Sequence, residues 1–137
     1  MSQYYDVGDQ TLWNPSNSAS RLFMTQVTAH QAEVGLPSGI GPMEADECQI
    51  DPVVFAAFVN ALLAWHGRTG HAVMVALSEG FVATTLVLAE RANIEVNWQA
   101  VEGAERDDLP MTSDPHARGR TAALRQTTRE LARHMPA

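Results

Sequence analysis

Residues 71–92 constrain the fold more than any other stretch. Between Ala72 and Ala89 only Ser78, Glu79, Gly80, Thr84 and Thr85 interrupt an apolar run. A helix that is apolar on every side is either the centre of a core or a membrane span. The run reaches the lower length limit for a span. Glu79 lies near its middle, however, and a carboxylate there costs about 2.5–3.5 kcal/mol on insertion scales. The run therefore reads as the buried core helix of a soluble domain, with no membrane involved. Other helices must cover it.

The rest of the chain supplies them. Asn14-Pro15 reads as the start of a first helix, with Asn as cap and Pro at the first helical position. Leu22, Phe23, Val27, His30 and Val34 follow at helical spacing, and Gly35-Leu36-Pro37 ends it. Asp51-Pro52 repeats the acidic-cap signal and opens a second helix. That helix runs through Phe55, Phe58, Val59, Leu62, Leu63 and Trp65 and stops at Gly67. Thr69 can cap the apolar helix. Asp114-Pro115 opens a fourth helix, to about His134. Ala117, Leu124 and Leu131 form its narrow apolar stripe, so it must dock to be stable. The expected core residues are Phe55, Phe58, Leu62, Leu77, Phe81 and Leu88.

Strand signals are fewer. Tyr4, Tyr5 and Val7 face Thr11, Leu12 and Trp13 across Gly8-Asp9, which predicts a short hairpin. Ile94-Glu95-Val96-Asn97-Trp98 alternates and is a candidate third strand. The predicted fold is α+β and mainly α: four helices with a small antiparallel sheet. Residues 1–98 form the core domain, 99–113 an acidic linker, and 114–137 a basic helix that docks on the same domain or on a second copy. The 137 residues suit one domain and can build a core without staples. One cysteine, Cys48, excludes an intrachain disulfide. The first residues lack the basic and apolar regions of a signal peptide, which places the chain in the cytoplasm.

Charge narrows the partners. Residues 1–110 carry 14 acids against four arginines, a net −10, and residues 111–137 carry two acids against five arginines, a net +3. An acidic body repels phosphates, so nucleic acid is not an expected partner. A basic protein is, because the field of the body steers it.

Candidate chemistry is sparse. Glu79 has Val75, Ala76, Val82 and Ala83 as helical neighbours, which predicts a buried carboxylate, either paired or desolvated. His30 and Asn60, polar residues on apolar faces, are its nearest candidates as partners. Together the three are the catalytic candidates. Glu44, Asp46, Glu47 and Asp51 cluster in one loop and are the candidate binding residues, since long loops often carry function. No metal site is expected: His66 and His71 are not at i, i+4, and His30 with Glu33 lacks the further ligands of a di-iron bundle. No cofactor motif is present; Ser38-Gly39-Ile40-Gly41 lacks the lysine of a phosphate loop.

Four stretches carry a family resemblance: Thr11-Leu12-Trp13-Asn14-Pro15-Ser16, Gly35-Leu36-Pro37-Ser38-Gly39-Ile40-Gly41, Ile50-Asp51-Pro52 and Glu79-Gly80-Phe81-Val82-Ala83-Thr84. Over about residues 1–96 the chain resembles an uncharacterised family of small actinobacterial proteins. The resemblance implies no activity. The functional expectation is therefore a non-catalytic protein-binding module, such as an immunity or regulatory protein acting through its acidic surface, with a homodimer as one form. The alternative is a small enzyme or ligand binder with Glu79 in an interhelical pocket.

Overall fold

The computed structural model describes residues 2–102 and 119–137. Its elements are β1 (Tyr4–Val7), β2 (Gln10–Trp13), α1 (Asn17–Val34), β3 (Glu47–Gln49), α2 (Pro52–Arg68), α3 (Ala72–Arg91), the single turn α4 (Gln99–Glu102) and α5 (Arg120–Ala132). The fold is α+β and mainly α, as the sequence predicts.

The sheet differs from expectation. Its order is β2-β1-β3. The hairpin β1–β2 is antiparallel, turning at Gly8 with φ 57°. The third strand is β3, which pairs parallel to β1 through Tyr5 and Cys48. It does not come from 94–98. Ile94, Val96 and Trp98 do pack against the core, so the alternation correctly marks a buried face. Their backbone, however, is held by one side chain. Asn60 Nδ2 donates to Glu95 O at 3.1 Å, and Asn97 N donates to Asn60 Oδ1 at 2.8 Å. Those contacts occupy backbone groups a neighbouring strand would need.

Capping explains the starts of α1 and α2 and the ends of α1 and α3, whereas α3 and α5 begin without a side-chain cap. Ser16 caps α1, accepting from Ala19 N, so this helix starts after Asn14-Pro15 rather than at it. Asn14 instead donates its backbone N–H to Pro136 O at 2.7 Å, tying the chain's two ends together. Asp51 caps α2 through Val53 N and Val54 N. Gly35 ends α1 in the left-handed conformation at φ 80°. Asn93 takes the same conformation after α3, and Ile94 N closes onto Ala89 O at 2.9 Å.

The core lies between the sheet, α1, α2 and the second half of α3. Phe55, Phe58, Leu62, Phe81 and Leu88 are buried, as expected. Leu77 is not: it is 74% exposed. Only the run from Phe81 to Ala89, Thr84 excepted, is buried residue by residue. By length and composition α3 could span a membrane, and half of that window is buried inside the fold.

α5 packs along α3 and touches α4. Leu124, Thr128 and Met135 are buried under it while Arg125, Arg129 and Arg133 face outward. Arg120 is buried at its start and reaches the end of α2, with Nη1 on Thr69 O at 2.6 Å and Nη2 on His66 O at 2.7 Å. Residues 99–102, which the sequence assigns to the start of a linker, instead form α4 and bury Val101. Residues 103–118, which hold the rest of the expected linker, the expected helix start Asp114-Pro115 and Ala117, lie outside the described residues.

Candidate functional site

The three catalytic candidates do not meet. Glu79 is half-buried rather than buried, and it has no hydrogen-bond or ion-pair partner among the described residues. The pairing with His30, Asn60 or an arginine that the sequence suggested is therefore not made among the described residues. The reason is position: Glu79 sits where α3 leaves the core, between exposed Leu77 and buried Phe81. His30 makes a hydrogen bond through Nδ1 to Gln26 O at 2.7 Å and lies on Phe81. Asn60 clamps the 95–97 backbone as described.

The acidic residues have local structural work. Ala45 and Asp46 take positive φ, 51° and 63°, in a tight turn bridged between Glu44 and Glu47. Asp46 Oδ1 accepts from Gln3 Nε2 at 3.2 Å. Asp51 is the α2 cap. Glu44, Glu47 and Asp51 remain exposed to solvent, so the edge of β3 presents carboxylates outward. No group of three or more His, Cys, Asp or Glu is arranged to hold a metal among the described residues.

What stands out is a surface the sequence did not mark. The first half of α3 exposes Val73 (56%), Met74 (37%) and Leu77 (74%), and α1 exposes Leu22 (60%). Leu22 and Leu77 line one groove of about 410 Å³ with Phe23, Phe81, Leu131 and Met135. Its floor is the edge of an aromatic chain. Tyr5, Trp13 and Phe23 meet at centroid distances of 5.3–5.6 Å, and Phe23 stacks on Phe81 at 5.5 Å. Contiguous exposed apolar surface is, as a general rule, more common where proteins dock than elsewhere on a monomer.

The sequence model of a family of unknown function, DUF6086, matches residues 1–137. The chain belongs to DUF6086. No curated protein and no solved structure matches it. The DUF6086 match runs past residue 96, where the resemblance read from the sequence stopped, and so takes in α5.

Two buried polar contacts complete the picture. His66 Nδ1 and Ser78 Oγ are 2.9 Å apart, and Ser78 Oγ also donates to Met74 O at 2.8 Å. Both residues are 2% exposed, which seals them from any substrate and makes them a link between α2 and α3. Sequence reasoning missed this pair and the Arg120 clamp. No spacing rule joins residues on separate helices.

Proposed function

We propose that this chain is a non-catalytic protein-binding module of the cytoplasm, of the regulatory or immunity kind. The observation that carries the reading is the apolar face made by Leu22, Val73, Met74 and Leu77. Such a face is stable in water only at a cost of about 25 cal/mol per Å² of apolar surface, which a partner's apolar side chains would recover. Its occupant is a protein segment with an apolar face rather than a bilayer: half of α3 is already committed to the fold's own core. Exposed Glu44, Glu47 and Asp51 contribute to the chain's net charge of −7, which favours a basic partner. A second copy of the chain is the alternative occupant.

The experiment compares the wild-type chain with Leu77→Asp. Leu77 is 74% exposed, so the variant folds with an unchanged melt. Light scattering reads self-association and affinity capture reads a foreign partner. The reading expects one complex, of either kind, that wild type forms and Leu77→Asp loses. A monomeric wild type whose captured proteins are the same as the variant's overturns it.

A further inference from the structure

A second cavity, of about 310 Å³, shares no lining residue with the apolar groove. It lies between α3, the 94–98 segment and α5. Leu86, Ile94 and Val96 give it an apolar floor, and Arg125, Arg129 and Glu90 line its wall. The volume is at the small end of the range of ligand pockets, and the mixture of an apolar base with few charged groups is their usual make-up.

The two arginines are placed differently. Arg125 lies over the Trp98 indole, its guanidinium carbon 4.5 Å from the ring centroid. Trp98 is its only partner: among the described residues no hydrogen-bond acceptor or carboxylate engages it. A guanidinium laid on a ring keeps its in-plane N–H donors free. Arg129 follows one helical turn later on the same face. It is steadied by Nη2 donating to Gln126 Oε1 at 2.8 Å, and Gln126 Nε2 in turn donates to Glu130 Oε1 at 2.9 Å. Glu90 forms no ion pair with either arginine and offsets only one of their two charges. The cavity wall is thus net positive in a chain of net charge −7.

We propose that this cavity binds a small monocarboxylate with an apolar body. The carboxylate accepts from Arg125 and Arg129, whose planar forks match its two oxygens. The body rests on Leu86, Ile94 and Val96 beside the indole. A phosphate monoester fits less well: its second charge faces Glu90, and its group needs no apolar floor.

The test titrates the full chain with benzoate, hexanoate and benzamide by calorimetry, and follows the Trp98 indole N–H by NMR. The expected result is saturable binding of at least one acid, with the Trp98 resonance moving. Benzamide binds about tenfold more weakly or worse, for want of the charge. Arg125→Gln and Arg129→Gln each weaken the acid by about tenfold while the melt is unchanged, since both side chains are exposed. Benzoate alone saturating assigns an aryl body, and hexanoate alone a flexible acyl chain. Absence of saturation by both acids at concentrations on the order of 10 mM overturns the proposal. So does an affinity that ignores both arginine substitutions, or benzamide binding as tightly as benzoate.

Discussion

The imidazole of His30 lies flat on the ring of Phe81, with 4.0 Å between centroids and 16° between planes. Its other face neighbour is the edge of Trp65, at 5.7 Å. Phe81 on its far side stacks with Phe23. One ring on α3 is thus held by two rings of α1, His30 and Phe23, the second of them part of the aromatic cluster under the sheet. This makes His30 a packing residue, anchored by its own helix through Gln26 O. Phe81→Ala should cost about 3–5 kcal/mol, because a buried ring with two stacked neighbours leaves a cavity that cannot collapse. Urea unfolding measures it.

The same helix offers a contrast within three turns. Leu88 is fully buried and Leu77 is 74% exposed. Leu88→Ala should cost about 2–5 kcal/mol and Leu77→Ala about 0.5 kcal/mol or less. Equal losses in thermal melts would mean that the first half of α3 is covered in solution. Glu79, half-buried, has no partner among the described residues, so Glu79→Gln should change the melt little.

Arg120 donates to two carbonyls at the end of α2, Thr69 O and His66 O. A cation belongs there, where the helix dipole is negative. Removing it takes away two charge-assisted hydrogen bonds, so Arg120→Met should destabilise by about 2–4 kcal/mol. Arg120→Lys should recover only part of this, because one ammonium cannot reproduce the fork. Denaturant midpoints of the three proteins settle the order.

Gly39 has φ 76°, and a β-carbon there would meet Phe55 N at 2.8 Å and Asp51 O at 2.9 Å. Gly35 has φ 80° with open space around it. Gly35→Ala should therefore cost about 1 kcal/mol, from backbone strain alone. Gly39→Ala should cost clearly more, since the backbone at the start of α2 must shift. Similar melts for the two variants would contradict this placement.

Alkaline pH should unfold the protein through two buried acids. Burial pushes the Cys48 thiol from its ordinary 9.0 up to about 11, with the Asp6 carboxylate adding to it. Burial likewise pushes the Tyr5 hydroxyl up to about 12, and the neighbouring Cys48 adds to that. Both groups hold their protons more tightly folded than unfolded. Their contribution is complete below the unfolded values and is lost as pH rises from about 9 through 11–12. Urea midpoints should fall across that window, and Cys48→Ala should flatten the early part of the fall. Native Cys48, 1% exposed, should also react slowly with thiol reagents near neutral pH.

Local signals in the sequence determined much of this molecule. Asp51-Pro52, Gly35 and Gly8-Asp9 place a helix start, a helix end and a hairpin turn, because capping and left-handed turns depend on a few adjacent residues. The apolar run at 72–89 likewise announced α3, and the family resemblance was legible in its first 96 residues. Tertiary structure decided the rest. β3 is only three residues, Glu47-Cys48-Gln49, and becomes a strand only when α1 returns the chain beside β1. Ile94–Trp98 has the alternation of a strand but lies clamped by Asn60, a contact no local pattern predicts. Both surfaces proposed for binding are of this kind. Leu77 reads as core until the packing leaves it outside, and Arg125 reads as a solvated helix charge until Trp98 is brought beneath it. A sequence states which residues prefer to be buried; which of them are left uncovered depends on how few elements there are to cover them.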